Sequence, residues 1–377
     1  MNLKKTALYI HIPFCDHKCI YCDFYSLINY DNVEEYLNIL KLEIAHYAQI
    51  YSNERIIDTI FFGGGTPSFM KPSYIQEIIE AVDKNFILNK EVEITLETNP
   101  GTVTKEKLIE FKNAGINRIS IGVQTFDEEE LKFLTRIHDK KTAINTIENS
   151  AEAGFENISL DLIFSLPNQS LQTWENNLKI AVDLPIKHIS AYSLILERGT
   201  ILNKMVLDGK VKMATENHDA NLYKFTMDFL AGQNFNQYEI SNFAKENYEC
   251  KHNLYYWEYN DYLSFGTAAH SFVNGTRWWN FSSLKKYIDE IKQKGNAVRG
   301  TEKLNNSQML EEIVMLGLRS KGINLDTIKS VNNYWLDKKQ KKINILIESS
   351  YIKKENNILK CTPKGYMICD ELITELL

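Results

Sequence analysis

The sequence of 377 residues lacks any run of eighteen or more apolar residues, the length that a membrane-spanning helix needs. Its early apolar stretch, residues 7–14, contains His11 and Pro13, and this composition argues against a signal peptide. It also lacks a strong charge of either sign, because the net charge is only −6. We therefore expect a globular cytoplasmic protein of two or three domains, in which 44% hydrophobic residues fill the core.

Cysteine is scarce, and three of the six cysteines fall within eight residues in the spacing C-x3-C-x2-C. The cysteines are Cys15, Cys19 and Cys22, followed far downstream by Cys250, Cys361 and Cys369. A disulfide is not expected, because three clustered thiols leave one unpaired. Three thiolates on a short loop suit an iron–sulfur cluster with one open iron, or zinc with His11 or His17 as a fourth ligand. Zinc sites usually have a second C-x2-C pair, and this sequence has none. The spacing of the cysteines alone nevertheless leaves both an iron–sulfur cluster and zinc open.

Short apolar runs alternate with segments of helical periodicity over residues 7–195. The predicted strands are Ala7–Ile12, Thr59–Phe62, Glu91–Leu96, Arg118–Gly122, Ile158–Ile163 and His188–Leu194. The predicted helices are Val33–Ile50, Ser73–Asn85, Lys105–Ala114, Thr142–Ala153 and Leu171–Asp183. Alternating strands and helices indicate parallel β/α units in a doubly wound sheet or a barrel. Six strands are too few for a closed eight-stranded barrel, so an incomplete (β/α)6 barrel fits the count.

Polar or glycine-rich segments follow five of the predicted strands. They are the cysteine loop, Gly63–Pro67, Glu97–Pro100, Gln124 and the segment Asp161–Pro167. In parallel β/α folds, ligands bind at the carboxyl ends of the strands, so we expect these segments to surround one site. The glycine segment lacks the Lys-Ser/Thr of a phosphate-binding P-loop; it is either an ordinary tight turn or a place of close backbone approach to a ligand.

The stretch YIHIPFC-x3-C-x2-C resembles the signature of radical S-adenosylmethionine (SAM) proteins, in the form carried by oxygen-independent coproporphyrinogen III oxidases and their relatives. The resemblance implies an incomplete (β/α)6 barrel and a [4Fe–4S] cluster whose open iron binds SAM. The oxidases have a fourth cysteine two residues after the third, and here that position is Phe24. This departure resembles the heme-chaperone branch of the family.

The resemblance also implies roles for individual residues. Cys15, Cys19 and Cys22 would hold the cluster. The residues expected to bind SAM or to pack near it and the cluster are Tyr9, Tyr21, Gly65, Thr66, Glu97, Gln124, Arg136 and Asp161. Without the resemblance, Glu97 and Arg136 would be expected to be solvated surface residues.

Aromatic residues are concentrated between residues 248 and 281, where eleven of 34 residues are Phe, Trp or Tyr. An aromatic core that covers the barrel and an apolar slot for a macrocycle both explain this composition. The segment His252–Trp257 resembles the HNxxYW motif that is associated with heme in the chaperone branch. His252 is therefore our predicted heme ligand, with His270 as its competitor and Cys250 as a third candidate.

The last part of the chain is predicted to be mostly helical and to resemble a winged helix. Helices at Gln308–Leu318 and Asn333–Ile347 precede a hairpin at Tyr351–Cys361 and a last helix from Pro363. Residues 301–377 contain 12 basic and 10 acidic residues, which is a weak charge excess for binding nucleic acid. We therefore expect a lid or a dimer-supporting domain and no nucleic-acid partner.

We accordingly predict three regions, with the radical SAM barrel in residues 1–200, a heme-associated region in 201–300 and the winged-helix-like domain in 301–377. The resemblance implies a chaperone that passes heme to acceptor hemoproteins, with transient membrane-protein contact and a homodimer as compatible associations. The alternative is a coproporphyrinogen III oxidase, against which Phe24 and the short segment before the cysteine loop count. A radical SAM enzyme acting on RNA is a third alternative, and the weak basic charge counts against it.

Overall fold

The computed structural model describes residues 3–28 and 30–377. The strands are β1 (Lys4–Ile12), β2 (Arg55–Gly64), β3 (Ile87–Thr98), β4 (Arg118–Gln124), β5 (Asn157–Phe164), β6 (His188–Ser193), β7 (Asn236–Gln237), β8 (Asn242–Ala244), β9 (Tyr262–Phe265), β10 (His270–Val273), β11 (Thr276–Asn280), β12 (Val298–Lys303), β13 (Ile323–Asn324), β14 (Ile352–Glu355) and β15 (Ile358–Cys361).

The helices are α1 (Val33–Tyr51), α2 (Pro72–Asn85), α3 (Lys105–Asn113), α4 (Glu128–Phe133), α5 (Lys140–Glu152), α6 (Leu171–Asp183), α7 (Ile201–Leu207), α8 (Glu216–Gly232), α9 (Lys251–Trp257), α10 (Leu284–Lys294), α11 (Asn306–Leu318), α12 (Leu325–Val331), α13 (Trp335–Glu348), α14 (Pro363–Tyr366) and α15 (Cys369–Leu376). A short 3-10 helix spans Pro67–Phe69. No helix in residues 3–28 and 30–377 is long and apolar enough to cross a membrane.

Strands β1 to β6 are neighbours in chain order and run parallel, which confirms the predicted α/β fold and the incomplete barrel. They belong to a sheet of twelve described strands with the order β12-β11-β10-β9-β1-β2-β3-β4-β5-β6-β8-β7, so its two edges are different strands and the barrel stays open. The five predicted helices are present, with ends within about two residues of the expected ones. Side-chain caps account for several of these ends, as where Thr104 accepts a hydrogen bond from the Lys107 N–H at the start of α3.

The alternation of side chains along the strands separates the core from the inside of the barrel. On β3, Ile94 and Leu96 join the apolar core beneath the helices. Glu93, Thr95 and Glu97 alternate with them and therefore project to the opposite face of the sheet. The barrel interior is consequently lined by polar side chains, and the site described below occupies its upper part.

The aromatic-rich segment forms more regular structure than the sequence indicated. Strand β9 lies parallel beside β1 and adds a seventh parallel strand, and β10 to β12 extend this edge as antiparallel strands. Helix α9 precedes β9 and contacts β1 and β2. Because β9 has only four residues, its periodicity was too short to be recognised among the aromatic residues.

The last region has the predicted winged-helix-like arrangement. Helices α11, α12 and α13 surround a three-stranded sheet of order β13-β15-β14, and β14 and β15 form the predicted hairpin. The predicted last helix is divided into α14 and α15. The region boundaries near residues 200 and 300 stay predictions; the large sheet, which runs from β1 to β12, crosses both of them.

Candidate cluster and cofactor site

The cysteine loop leaves the carboxyl end of β1 and is closed at its base by backbone hydrogen bonds. The Cys15 N–H donates to the Leu27 carbonyl at 2.9 Å, and the Leu27 N–H donates to the Pro13 carbonyl at 2.6 Å. The His11 ring adds a third tie, because its Nε2 lies 3.0 Å from the Tyr25 carbonyl oxygen. The loop is therefore a fixed lobe at the mouth of the barrel.

All three loop cysteines are half-buried free thiols that line one cavity of about 1200 Å³. Cys15 Sγ lies 3.1 Å from the Thr66 hydroxyl, and an Arg136 Nη1 donates to Cys19 Sγ at 3.5 Å. Burial raises the pKa of Cys22, and the neighbouring Cys19 thiol also raises it. The three sulfur atoms thus share one partly enclosed space with a guanidinium beside them.

The three thiols of this cavity fit an iron–sulfur cluster; of the two histidines considered as a fourth zinc ligand, His17 lines the cavity and His11 does not. Within the described residues, no group of three or more His, Cys, Asp or Glu side chains is arranged around one metal position. Both nitrogens of the His11 ring are engaged inside the protein, with the Tyr9 hydroxyl at 3.2 Å and the Tyr25 carbonyl. Three thiols that line one cavity suit the cysteine ligation of an iron–sulfur cluster.

The glycine segment after β2 lies against the cysteine loop. The N–H groups of Gly65 and Thr66 donate to the carbonyls of Ile12 and Phe14 at 2.8 and 2.7 Å. A Cβ on Gly65 would lie 2.5 Å from the Phe14 carbonyl oxygen, so only glycine permits this approach. Both amides are used by the chain itself, and they hold the loop against the segment.

Two carboxyl groups reach the cavity from β3 and β5, the strands on either side of β4. Strand register places Glu97 opposite Ser120, and it places Asp161 opposite Gly122 and Ser190. The Gly64 N–H donates to Glu97 Oε2 at 3.2 Å. Burial raises the pKa of Glu97 to about 8, and the nearby Asp161 adds to the rise. Burial also raises the pKa of Asp161. Neither carboxyl is the solvated surface group expected of an isolated acidic residue.

Arg136 and Gln124 also line the cavity, and Arg136 is held from several sides. Its Nη2 donates to Asn99 Oδ1 at 2.6 Å and to the Gly122 carbonyl at 2.7 Å. Asn99 in turn donates to the Thr66 hydroxyl at 2.9 Å. We did not single out Asn99 from the sequence, although it lies in the Glu97–Pro100 segment that we placed at a strand end. Its hydrogen-bond partners, Arg136 and Thr66, are more than 30 residues away in the sequence, so the local sequence around Asn99 gives no indication of them.

Tyr21 and Phe24 belong to the cavity as well, on the loop side. Burial raises the pKa of Tyr21, although the Arg136 charge opposes the rise, so its phenol stays neutral. Phe24 stands where the oxidases have a fourth cysteine, and 61% of its surface is exposed. An exposed phenyl ring here provides no metal ligand.

Tyr9 and His252 are placed deeper in the barrel and do not line the cavity. The Tyr9 ring stacks on the Phe61 ring with 6.2 Å between their centroids, and the His252 ring stacks on the same Phe61 ring with 4.9 Å between centroids. His252 is only 1% exposed, and its Nδ1 and Nε2 lie 2.8 Å from the hydroxyls of Thr59 and Tyr256. Burial lowers the pKa of His252 to about 3, so the ring is neutral.

The other two candidate heme ligands differ sharply in access. Cys250 is fully buried, and its thiol lies 3.7 Å from Glu93 Oε1. His270 is exposed at the start of β10, where its ring stacks on Trp279 with 6.0 Å between centroids. Trp257, the last residue of the HNLYYW segment, does line the cavity. Of this segment, Trp257 therefore lines the cavity and His252 does not.

The chain is similar to known proteins over most of its length. Residues 9–181 match the Radical SAM superfamily. The chain is 39% identical over 317 residues to the heme chaperone HemW of Bacillus subtilis, covering 84% of this chain and 83% of the relative. It is 37% identical over 281 residues to the heme chaperone HemW of Escherichia coli, covering 72% and 71%.

A mitochondrial relative in Danio rerio, named radical S-adenosyl methionine domain-containing protein 1, is 33% identical and covers 99% of this chain and 87% of its own length. Among solved structures, the coproporphyrinogen III oxidase HemN of Escherichia coli superposes with a TM-score of 0.83 at 21% identity, covering 99% of this chain and 90% of that one. At this identity the likeness concerns the fold. The cysteine loop, the cavity and the curated relatives lead to one conclusion, that this chain belongs to the HemW family of the radical SAM superfamily.

Proposed function

We propose that this protein is a heme chaperone that binds a [4Fe–4S] cluster, SAM and heme and transfers the heme to acceptor hemoproteins in the cytoplasm. The observation that carries the proposal is that one cavity gathers the three cysteines and seven of the eight residues predicted to lie near SAM. These seven are Tyr21, Gly65, Thr66, Glu97, Gln124, Arg136 and Asp161. The names of the curated HemW relatives support the heme part.

One set of cavity residues would hold the cluster, and another set would bind SAM. Cys15, Cys19 and Cys22 would hold the cluster, which when bound supplies a single electron at this end of the barrel. Glu97 and Asp161 offer negative charge to the cationic SAM, and a low-dielectric site strengthens that attraction once they ionise. Arg136 offers the opposite charge, which suits the carboxylate of an amino acid moiety. Tyr21 covers the adjacent wall.

We retain His252 as the proposed axial ligand of heme. A neutral imidazole is the protonation state that ligates iron, and burial keeps His252 in it. Its hydrogen bonds to Thr59 and Tyr256 must break before Nδ1 or Nε2 can reach a metal, so ligation requires movement of α9. His270 needs no such movement and remains the competing ligand, whereas the buried thiol of Cys250 is the third candidate.

The alternative function is an oxygen-independent coproporphyrinogen III oxidase. It is favoured by the retention of the whole thiol, carboxylate and guanidinium set in one cavity, which is more than passive heme binding needs. Phe24 in place of the fourth cysteine counts against it. An anaerobic assay with coproporphyrinogen III and SAM separates the two functions. Formation of stoichiometric protoporphyrinogen would contradict the chaperone proposal and establish the oxidase. Absence of this product, together with saturable heme binding, supports the chaperone.

The direct test is anaerobic reconstitution, followed by iron and sulfide analysis and a heme titration. We expect about four irons per chain, saturable heme binding, and transfer of the bound heme to an apo-hemoprotein followed by its Soret band. A reconstituted protein that neither binds heme nor passes it on contradicts the proposal. Zinc in place of iron would overturn the cofactor assignment itself.

A further inference from the structure

Two of the predicted cluster ligands are joined by an unbroken series of side-chain hydrogen bonds. Cys15 Sγ contacts the Thr66 hydroxyl at 3.1 Å, and that hydroxyl accepts from Asn99 Nδ2 at 2.9 Å. Asn99 Oδ1 accepts from Arg136 Nη2 at 2.6 Å, and Arg136 Nη1 donates to Cys19 Sγ at 3.5 Å. We name this series the Thr66–Asn99–Arg136 bridge. It crosses the cavity from one side of the cysteine loop to the other.

Arg136 is the charged member of the bridge, and its position is fixed. The Gly122 carbonyl accepts from Nη2 at 2.7 Å, so this nitrogen has two acceptors, one in β4 and one just after β3. The planar guanidinium is thereby oriented, which leaves Nη1 facing the Cys19 sulfur. The Nε is buried and has no hydrogen-bond partner within the described part of the chain. Of the terminal nitrogens, Nη1 is the one directed to the cluster ligand.

We propose that Arg136 is a positioning residue that sets the reduction potential of the cluster through its bond to Cys19, with Asn99 and Thr66 holding it in place. The proposal rests on the cluster of the proposed function. It adds a role for Arg136 that is separate from any contact with SAM.

The direction of the effect follows from electrostatics. One-electron reduction adds one negative charge to the cluster and its thiolates, and a hydrogen bond from a cation stabilises that added charge. Arg136 is half-buried, so solvent screens its charge only in part. Arg136 therefore raises the reduction potential and makes the cluster easier to reduce. Without Asn99, the guanidinium would keep its charge but lose its orientation, so the effect would be smaller.

The test is a potentiometric titration of the reconstituted protein without SAM, in which a low-potential chemical reductant supplies the electron and electron paramagnetic resonance reports the reduced cluster. We compare the wild type with Arg136→Gln, Arg136→Lys and Asn99→Ala. Arg319→Gln is the matched control, because Arg319 also lines the cavity but pairs with Asp370 at 2.6 Å. Leaving SAM out removes any contribution from the SAM contact.

For Arg136→Gln we expect the ratio of reduced to oxidised cluster at the wild-type midpoint to fall about tenfold, which is 59 mV for one electron. Arg136→Lys and Asn99→Ala should shift the midpoint in the same direction by less, and Arg319→Gln should leave it unchanged. If the Arg136→Gln variant loses its iron, the midpoints of Arg136→Lys and Asn99→Ala test the inference in its place. Midpoints equal to the wild type in variants with a full iron content overturn the inference, whereas absence of a cluster from the wild type counts against the proposed function instead.

Discussion

The cysteine cavity and the surroundings of His252 lie at two levels of the same barrel, and they present their residues in opposite ways. At the upper level, Glu97 near the end of β3 reaches a large cavity with the three thiols. At the lower level, Glu93 on the same strand accepts from the backbone of α9, and His252 is enclosed between Thr59 and Tyr256. One level is open to ligands, and the other is filled by the protein.

The identity of a motif and its accessibility are therefore separate properties of this fold. The cysteine motif lies on a loop beyond a strand, where the fold leaves room for ligands. The HNLYYW motif forms a helix in which His252 is buried and Trp257, five residues later, is half-buried. His252 is consequently enclosed, whereas Trp257 on the same helix reaches the cavity. The predictions below test whether this contrast between an open and a closed level describes how the protein works.

The largest effect is expected from removing a thiol of the upper level. Cys19→Ser should abolish stable cluster binding, because a hydroxyl is a poor replacement for a thiolate on iron and only three ligands are available. The measurement is iron and sulfide content after anaerobic reconstitution. Cys250→Ser is the matched control, since its thiol lies at the lower level and should leave the iron content unchanged. Equal iron loss in both variants would show that the two levels are not independent.

The next largest effect is expected at the contact between the glycine segment and the cysteine loop. Gly65→Ala places a Cβ about 2.5 Å from the Phe14 carbonyl, so the backbone of the loop must move. We expect a severalfold loss of SAM affinity and incomplete cluster assembly, with the fold retained. Gly232→Ala in α8 is the control, because nothing lies within 4 Å of a Cβ there. SAM binding at wild-type strength in Gly65→Ala would mean that the contact does not shape the site.

At the lower level, His252→Ala should cost about 2 kcal/mol of unfolding free energy, since it leaves the buried hydroxyls of Thr59 and Tyr256 without a partner. Urea unfolding measures this cost, and a heme titration of the same protein measures ligation. His270→Ala is the control and should change stability by less than about 0.5 kcal/mol, because His270 is exposed.

The two readouts for His252 sharpen the comparison. Loss of stability together with loss of heme binding supports His252 as a ligand that α9 must release. Loss of stability with unchanged heme binding would assign His252 to the core and leave His270 and Cys250 as the candidates.

The sequence predicted the upper level well for a physical reason. Ligand groups at strand ends follow from strand positions, and the strand positions follow from local apolar periodicity. Cys15, Gly65 and Glu97 could thus be assigned to one site from a few short segments. Arg136, which composition alone would place on the surface, is drawn inward by Asn99 and the Gly122 carbonyl. The resemblance to the family pointed to Arg136, and spacing alone did not.

The sequence could not reveal access at the lower level. Nothing local to His252 indicates that Thr59, Phe61 and Glu93 lie around it, because those contacts join α9 to strands more than 150 residues earlier. Strand β9 was missed for a related reason, since it pairs with β1 from across the chain. A short motif can be recognised from its own residues, whereas its burial depends on contacts with residues far away in the sequence.

The smallest effect we expect concerns proton binding at the upper level. Burial raises the pKa of Glu97 to about 8, above the value of about 4.3 in an unfolded chain. Between these values the folded protein holds a proton that the unfolded chain has lost, so the stability contributed by this group is complete below about pH 4.3 and is lost as the pH rises through 8. Cationic SAM prefers the ionised carboxylate, so its binding must displace that proton.

SAM affinity, measured by anaerobic calorimetry on the reconstituted protein, should therefore increase between pH 6.5 and pH 8.5, by at most about tenfold per pH unit. Glu97→Gln should remove that part of the increase, because its side chain has no proton to release. Glu216→Gln is the control, since Glu216 is an exposed residue of the same cavity and should leave the dependence intact. A pH dependence that survives unchanged in Glu97→Gln would show that another group of the cavity releases the proton, and the pKa of Asp161 is also raised by burial.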